Sequence, residues 1–238
     1  MTQPSEAPRR FYKTTGALPV DGGFAVQLDG RTVRTPGGLP LVAPGERLAQ
    51  MLAGEWDSQG QLIVMASMPA TRLAFTALDR VAQARAEVIA EVGRYAGSDV
   101  LCYFAEWPKP LVERQVQAWG PMLDWAADDL GLHLERATGI AHKQQPAESL
   151  LRAARHADAL DDFGLAGLAH ATAVLGSAVL AFALQREKIG GTLAYELSRL
   201  DELYQIEQWG EDEEAQLRAR GIHAEALMLE AWFRALNA

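Results

Sequence analysis

Apolar positions recur along this chain with two different periods, and the period changes near residue 65. Before that point they alternate. Gly22-Gly23 opens a run in which Phe24, Val26 and Leu28 alternate with Ala25 and Gln27. Asp29-Gly30 follows, a pair suited to the two positive-φ positions of a type I′ hairpin turn. Closing that turn sets Leu28 opposite Arg31, Val26 opposite Val33 and Phe24 opposite Thr35. A lone hairpin is not stable in water, so further strands or a helix must cover its apolar face. Phe11-Tyr12-Lys13 and Leu39-Pro40-Leu41-Val42 are the candidate neighbouring strands. Leu48, Met51, Leu52 and Trp56 recur at helical spacing and predict a helix over 46–59, with Trp56 in the core. Leu62 to Met65 reads as a last short strand.

From Pro69 onward the period is helical. Leu73, Ala77, Leu78, Val81, Val88, Ile89, Val92 and Tyr95 predict a helix that Pro69 starts and Gly97 ends. Pro108 and Pro110 precede a segment over 111–119. Pro121 starts another helix, which Gly131 closes. Further helices are predicted over 146–160, 163–184, 193–209 (capped by Thr192, closed by Gly210) and 213–236, with Gly221 as a candidate break. Residues 163–184 hold no Asp, Glu, Lys or Arg and are long enough to span a bilayer. They are rich in Ala and Gly and include His170, so the reading is a buried core helix, with no membrane insertion.

Composition narrows the function classes. The 238 residues are 49% hydrophobic and 22% charged, which fits a globular chain with a sizeable core. The net charge of −9 argues against nucleic acid or an anionic membrane as partner, since both need a cationic surface. The single cysteine, Cys102, allows no intrachain disulfide and fits a reducing compartment. Residues 1–10 lack the apolar core of a secretory signal and are too short and Pro-rich for a transit peptide.

Recognisable catalytic chemistry is missing. There is no Gly-x-x-x-x-Gly-Lys-Ser/Thr loop, no Gly-x-Gly-x-x-Gly after a strand and no Gly-x-Ser-x-Gly elbow. His133, His142, His156, His170 and His223 never fall three or four apart, so no helical metal pair is visible. No cofactor, metal or small-molecule substrate is expected. His170 reads as a core histidine. Cys102 lies among apolar residues that would raise its pKa and leave it inert. Asp128-Asp129 and Asp161-Asp162 read as solvated or capping residues at helix ends.

The segment over 197–214 is different. Arg199 is its one basic residue, against Asp201, Glu202, Glu207, Glu211, Asp212, Glu213 and Glu214. Leu200, Leu203 and Ile206 form a stripe expected to face the core, and Glu202, Gln205 and Trp209 lie on a neighbouring face. Two readings stand side by side. Glu213 and Glu214 suit the first turn of a helix, where they complement its dipole. An exposed Trp among carboxylates equally suits an anchored partner surface.

An ordered series of short motifs runs through the chain: Arg10-Phe-Tyr-Lys13, Gly23-Phe24, Leu28-Asp-Gly-Arg31, Thr35-Pro36, and Glu55-Trp56 with Gln59. Then come Met68-Pro69 with Thr71 and Leu73, Asp99-Val-Leu-Cys-Tyr103, Arg114-Gln115 with Trp119, Ser198 with Leu200-Asp-Glu202, Tyr204-Gln205 and Trp209-Gly210. No one of these is specific, but the series resembles the Atp-twelve family of ATP synthase assembly chaperones from Arg10 to the C-terminus. Val100 and Ser98 depart mildly from the family's usual Leu and Thr.

The resemblance implies an α+β fold: a small β-rich N-terminal domain with one helix, over 1–68, followed by a larger all-helical orthogonal bundle, over 69–238. It implies a non-enzymatic role, binding the free alpha subunit of the ATP synthase catalytic head and preventing its aggregation before assembly with beta. The bacterial cytoplasm is the expected location. On that reading the candidate partner-binding residues are Glu202, Gln205, Glu207, Trp209, Asp212, Glu213 and Glu214, with Trp209 as anchor. The rival readings are an enzyme whose site is assembled from scattered polar residues such as Asp99, Arg114 and His142, and a small-molecule or membrane-associated protein using residues 163–184.

Overall fold

The computed structural model describes residues 7–210 and 213–237. The chain forms two compact units. One comprises residues 1–83 with 234–238, the other residues 84–233. The first unit therefore runs past residue 68 and takes in the helix that Pro69 starts.

In the first unit, β1 (Thr15–Val20), β2 (Gly23–Leu28), β3 (Arg31–Thr32) and β4 (Val42–Ala43) form one antiparallel sheet. β1 lies along one edge of β2, and β3 and β4 share the other. Asp29 (φ 48°) and Gly30 (φ 76°) both adopt the left-handed conformation that a type I′ turn requires. Leu28 pairs with Arg31 as the turn predicts, and the Val33 N–H donates to the Val26 carbonyl at 2.9 Å. Phe24, however, pairs with Ala43 rather than Thr35. The chain leaves the sheet after Val33 because Asp79 takes hold of the loop. Its carboxylate accepts from the Thr35 hydroxyl at 2.6 Å and the Gly37 N–H at 2.9 Å. Phe11–Lys13 is not a strand, and Leu62 makes an isolated bridge to Arg9.

Helix α1 (Glu46–Asp57) packs on β1, β2 and β4, with Leu48, Leu52 and Trp56 buried. Glu55 at its C-terminal end accepts from the N–H groups of Ala70 (2.8 Å) and Thr71 (2.7 Å). These are orphan donors at the start of α2 (Pro69–Thr76), where a carboxylate also complements the helix dipole. A wide π-type stretch over Ala77–Val81 leads into α3 (Ala82–Gly97), which leaves helical geometry at Ala84 (φ −121°, ψ 28°). The single helix expected over 69–97 is thus three consecutive pieces.

The second unit is helical apart from a short parallel pair, β5 (Tyr103–Phe104) and β6 (Ala137–Thr138). Helix α4 (Lys109–Leu130) runs through Pro121, where two helices were expected. A mid-helix proline costs about 3 kcal/mol. The buried Leu111, Gln115 and Trp119 before it and Met122, Leu123, Trp125 and Leu130 after it hold the two halves in line. Each large apolar side chain contributes roughly 1.5–3 kcal/mol, so burial outweighs the lost bond. Gly131 (φ 67°) ends the helix as expected. Helix α5 (Ala147–Asp158) follows.

The apolar stretch is two helices, α6 (Asp162–Leu175) and α7 (Ala178–Gln185). Gly176 (φ 65°) closes the first, and the Ser177 hydroxyl accepts from Leu180 N–H at 3.0 Å to cap the second. Neither spans a bilayer: among the described residues no helix is long and apolar enough to cross one. α7 is buried from Ala178 to Leu184 because it packs against α4, α6 and α8 (Gly191–Ser198), which accounts for apolar residues all round it. Gly167 on α6 is a close-approach position. A Cβ there would stand 2.7 Å from Trp232 Nε1 and 2.9 Å from Phe233 Cε1. The helix expected over 193–209 breaks at Arg199 (φ −119°, ψ 21°) into α8 and α9 (Leu200–Trp209), and Gly190, not Thr192, is the N-cap. Helix α10 (Glu213–Leu236) is unbroken at Gly221.

His170 is half-buried rather than core, and its Nε2 meets Glu225 Oε2 at 2.8 Å. Cys102 is fully buried, and burial, with the Asp99 carboxylate second, pushes its thiol up to about 12. Asp161 caps α6, accepting from Gly164 N–H at 2.6 Å.

Candidate partner-binding surface

Helix α9 is short, amphipathic and anchored at its first turn. Leu200 is buried. Asp201 accepts from Gln115 Nε2 at 2.7 Å, while Gln115 Oε1 accepts from Ala105 N–H at 2.8 Å. Partial burial raises the pKa of Asp201 against that hydrogen bond. Arg199, at the break before α9, donates to Glu202 Oε1 at 3.1 Å and to the Val174 carbonyl at 3.4 Å.

The expected core stripe is only partly in the core. Leu203 and Ile206 are half-buried and line an open groove between α9 and the first turns of α10. Ala215, Ala219 and Ile222 form its other wall, and the groove encloses about 330 Å³. Arg199, Glu202 and Arg218 border it.

Of the described candidate residues only Glu202 lines this groove; Gln205, Glu207 and Trp209 lie elsewhere on α9, and Glu213 and Glu214 are in the first turn of α10. Glu202, Gln205, Glu207, Trp209, Glu213 and Glu214 are all exposed, and Trp209 is 86% exposed. Asp212, with Glu211, lies outside the described residues. The acidic run is not a bare negative patch. Glu207 receives a bidentate pair from Arg114 of α4, with both N···O distances 2.8 Å, and the guanidinium lies 5.4 Å from the centre of the Tyr204 ring. That hydrogen bonding lowers the Glu207 pKa and raises that of Arg114. Glu214 faces Arg218 at 3.8 Å. Arg199–Glu202 and Glu214–Arg218 are three and four apart, so helical spacing carried their signal. Arg114 is 93 residues from Glu207, and no local pattern joins them.

Asp99, Arg114 and His142 do not come together as a catalytic cluster. Asp99 is fully buried and accepts from Leu101 N–H at 3.1 Å and Val179 N–H at 3.0 Å, so it joins the Val100–Cys102 turn to the start of α7. Burial pushes its carboxyl up to about 6, against the hydrogen bonds that favour the charge. Arg114 is committed to Glu207, and the His142 ring meets the Tyr103 hydroxyl at 3.2 Å. Among the described residues no three His, Cys, Asp or Glu side chains are placed to hold a metal ion.

The structure thus shows an exposed Trp at the end of α9 and, lined by other residues, an open apolar groove with a charged rim. The family model described as "ATP12 chaperone protein" matches residues 9–127, half of the chain. The chain belongs to the ATP12 chaperone family. The mitochondrial Atp12 protein of Schizosaccharomyces pombe is 28% identical over 226 residues, which cover 89% of this chain and 77% of that protein. Crystallised Atp12 from Paracoccus denitrificans is 38% identical, with a TM-score of 0.90 over 96% of this chain and 98% of its own. The Atu1473 protein of Agrobacterium tumefaciens gives the same identity and TM-score over 96% of this chain and 86% of its own. The α+β fold read from the sequence is therefore the ATP12 fold. The chain is a chaperone and not an enzyme.

Proposed function

We propose that this chain is an assembly chaperone of the F-type ATP synthase that binds the free alpha subunit of the catalytic head, in the bacterial cytoplasm, and keeps it from aggregating until it meets beta. Family membership supports the chaperone role. The observation that carries the contact itself is Trp209: a large aromatic left almost fully exposed at the end of a helix whose first turn is anchored by Leu200 and Asp201. Trp side chains dominate interface energetics where they become buried, so an exposed Trp is a natural anchor. Unassembled subunits expose apolar contact surfaces that aggregate. A reversible holder suits a few anchors with a charged rim better than a large dry interface.

The test is dilution of denatured alpha subunit into buffer with increasing amounts of this chain, followed by light scattering. Scattering is expected to fall towards the buffer baseline near one chain per subunit. Scattering equal to that with an inert protein of the same size overturns the assignment.

A further inference from the structure

The first unit holds a second concavity, separate from the α9–α10 groove. The cleft encloses about 580 Å³, a size typical of ligand sites. Phe11, Tyr12, Trp56 and Leu28 provide its apolar and aromatic walls, and Arg31, Thr32 and Arg34 line its other side.

Four features of the cleft are unmatched among the described residues. Phe11 is 75% exposed and held edge-on against Tyr12, with ring centroids 5.3 Å apart. Trp56 is 93% buried, being 7% exposed, yet its indole N–H finds no acceptor among the described residues. Buried Trp donors are ordinarily satisfied, as Trp119 is by the Leu197 carbonyl at 2.9 Å. Arg31 is exposed and has no ion pair among the described residues. The nearby Asp29 cannot neutralise it freely, because its carboxylate is occupied by the N–H groups of Thr14 and Lys13 and by the Thr14 hydroxyl. Those bonds, the one from Thr14 N–H first, hold its pKa below the usual carboxylate range.

The fourth feature is the strand edge. Leu28 pairs with Arg31, and the Val33 N–H donates to the Val26 carbonyl at 2.9 Å. The Val33 carbonyl accepts from Leu41 N–H at 2.8 Å, and the Val26 N–H donates to the Leu41 carbonyl at 3.0 Å. Thr32, between Arg31 and Val33, therefore turns its N–H and C=O away from β2, where no described residue meets them. Charge follows the same division. Residues 1–83 carry eight Lys or Arg against seven Asp or Glu, a net +1, so the remaining residues carry −10 and give the chain its net −9.

We propose that this cleft binds an extended, acidic stretch of client protein. The stretch adds to the β3 edge through Thr32, lays an apolar side chain against Phe11 and Tyr12, and sets carboxylates against Arg31 and Arg34. Main-chain pairing at an exposed edge supplies affinity, and the side-chain contacts supply selection. The commitment to an acidic segment comes from charge complementarity, since the cations lining the cleft outnumber its free carboxylates. The inference rests on the chaperone reading for the kind of ligand, a stretch of protein, but its test needs no alpha subunit.

The probe is a fluorescein-labelled heptapeptide, Ser-Val-Glu-Phe-Glu-Val-Ser, and the same peptide with both Glu replaced by Lys. Binding to the whole chain is read by fluorescence anisotropy. The Glu peptide is expected to bind at least tenfold more tightly than the Lys peptide. Arg31→Glu should reverse that order. Thr32→Pro, which removes the outward N–H, and Phe11→Ala, at an exposed ring, should each weaken the Glu peptide about tenfold while leaving the melting temperature near wild type. The cleft proposal is overturned if the two peptides bind alike, if neither binds, or if Arg31→Glu changes nothing. It is equally overturned if free glutarate competes as well as the peptide, which marks a small-anion site, or if Arg31→Glu dissolves a dimer of the chain. A chain that binds the peptide but leaves alpha-subunit scattering unchanged overturns the client assignment and keeps the cleft.

Discussion

Trp209→Ala separates partner binding from folding more cleanly than any other substitution in the α9–α10 region. At 86% exposure the indole contributes little to the packing of the free chain. Alanine is also the better helix former, by up to ~0.7 kcal/mol. The melting temperature should therefore stay within about 2 °C of wild type, since 1 kcal/mol moves a chain of this size by ~2–4 °C. Binding should behave quite differently. A Trp side chain buries roughly 150–250 Å². At ~25 cal/mol per Å² that is about 5 kcal/mol gross if the partner covers all of it. Ordering and desolvation offset part of this, and interface Trp truncations commonly cost ~2–4 kcal/mol. At 1.4 kcal/mol per factor of ten, affinity for the alpha subunit should fall about 30- to 1,000-fold. Isothermal titration with freshly refolded alpha subunit, alongside calorimetric melting, provides both readouts. Unchanged affinity refutes Trp209 as the anchor. A loss of affinity accompanied by a fall of more than about 5 °C in melting temperature refutes the claim that the ring acts on the partner alone.

Glu207→Lys places an ammonium against the Arg114 guanidinium, so it should lower the melting temperature where Glu207→Gln barely does; equal melting of the two removes any structural role for the bidentate pair. Gly167→Ala drives a methyl into Trp232 and Phe233 and should destabilise the fold by about 1–3 kcal/mol, read by urea denaturation; unchanged stability would mean that α6 and α10 separate readily. The Asp99 carboxyl has its folded pKa raised to about 6, so the stability it allows is full below the unfolded value of 3.8 and is lost as pH rises through 6. The stability of wild type relative to Asp99→Asn should accordingly fall by about 2 kcal/mol between pH 4 and 7; a pH-independent difference would show that the carboxylate is better solvated by its amide donors than its burial implies.

Legibility of the fold in the sequence followed the range of the forces involved. The Asp29-Gly30 turn is set by two residues and was readable. The pairing beyond Val33 was not, because Asp79 redirects the chain from 44 residues away. Strand β1 was hidden by Gly16 and Pro19, weak strand formers that an edge strand tolerates. The apolar run over 163–184 masked its own punctuation, since Gly176-Ser177 is an ordinary stop-and-cap pair embedded among hydrophobic residues. Pro121 misled in the opposite direction, because tertiary packing on both sides overrode a strong local signal. At the candidate surface, the exposed face of α9 followed from helical spacing. The half-exposed groove did not, because α10 returns beside α9 without closing over Leu203 and Ile206. Nor did the neutralisation of Glu207, which depends on a helix 93 residues earlier.

The central claim is that the chain binds the alpha subunit only while that subunit is unassembled. Sedimentation velocity with labelled chain tests it directly, once with free alpha subunit and once with the assembled catalytic head. The account predicts a one-to-one complex with free alpha and none with the head, because assembly covers the surface that the chaperone holds. Absence of a complex with free alpha, or equal binding to the assembled head, contradicts it.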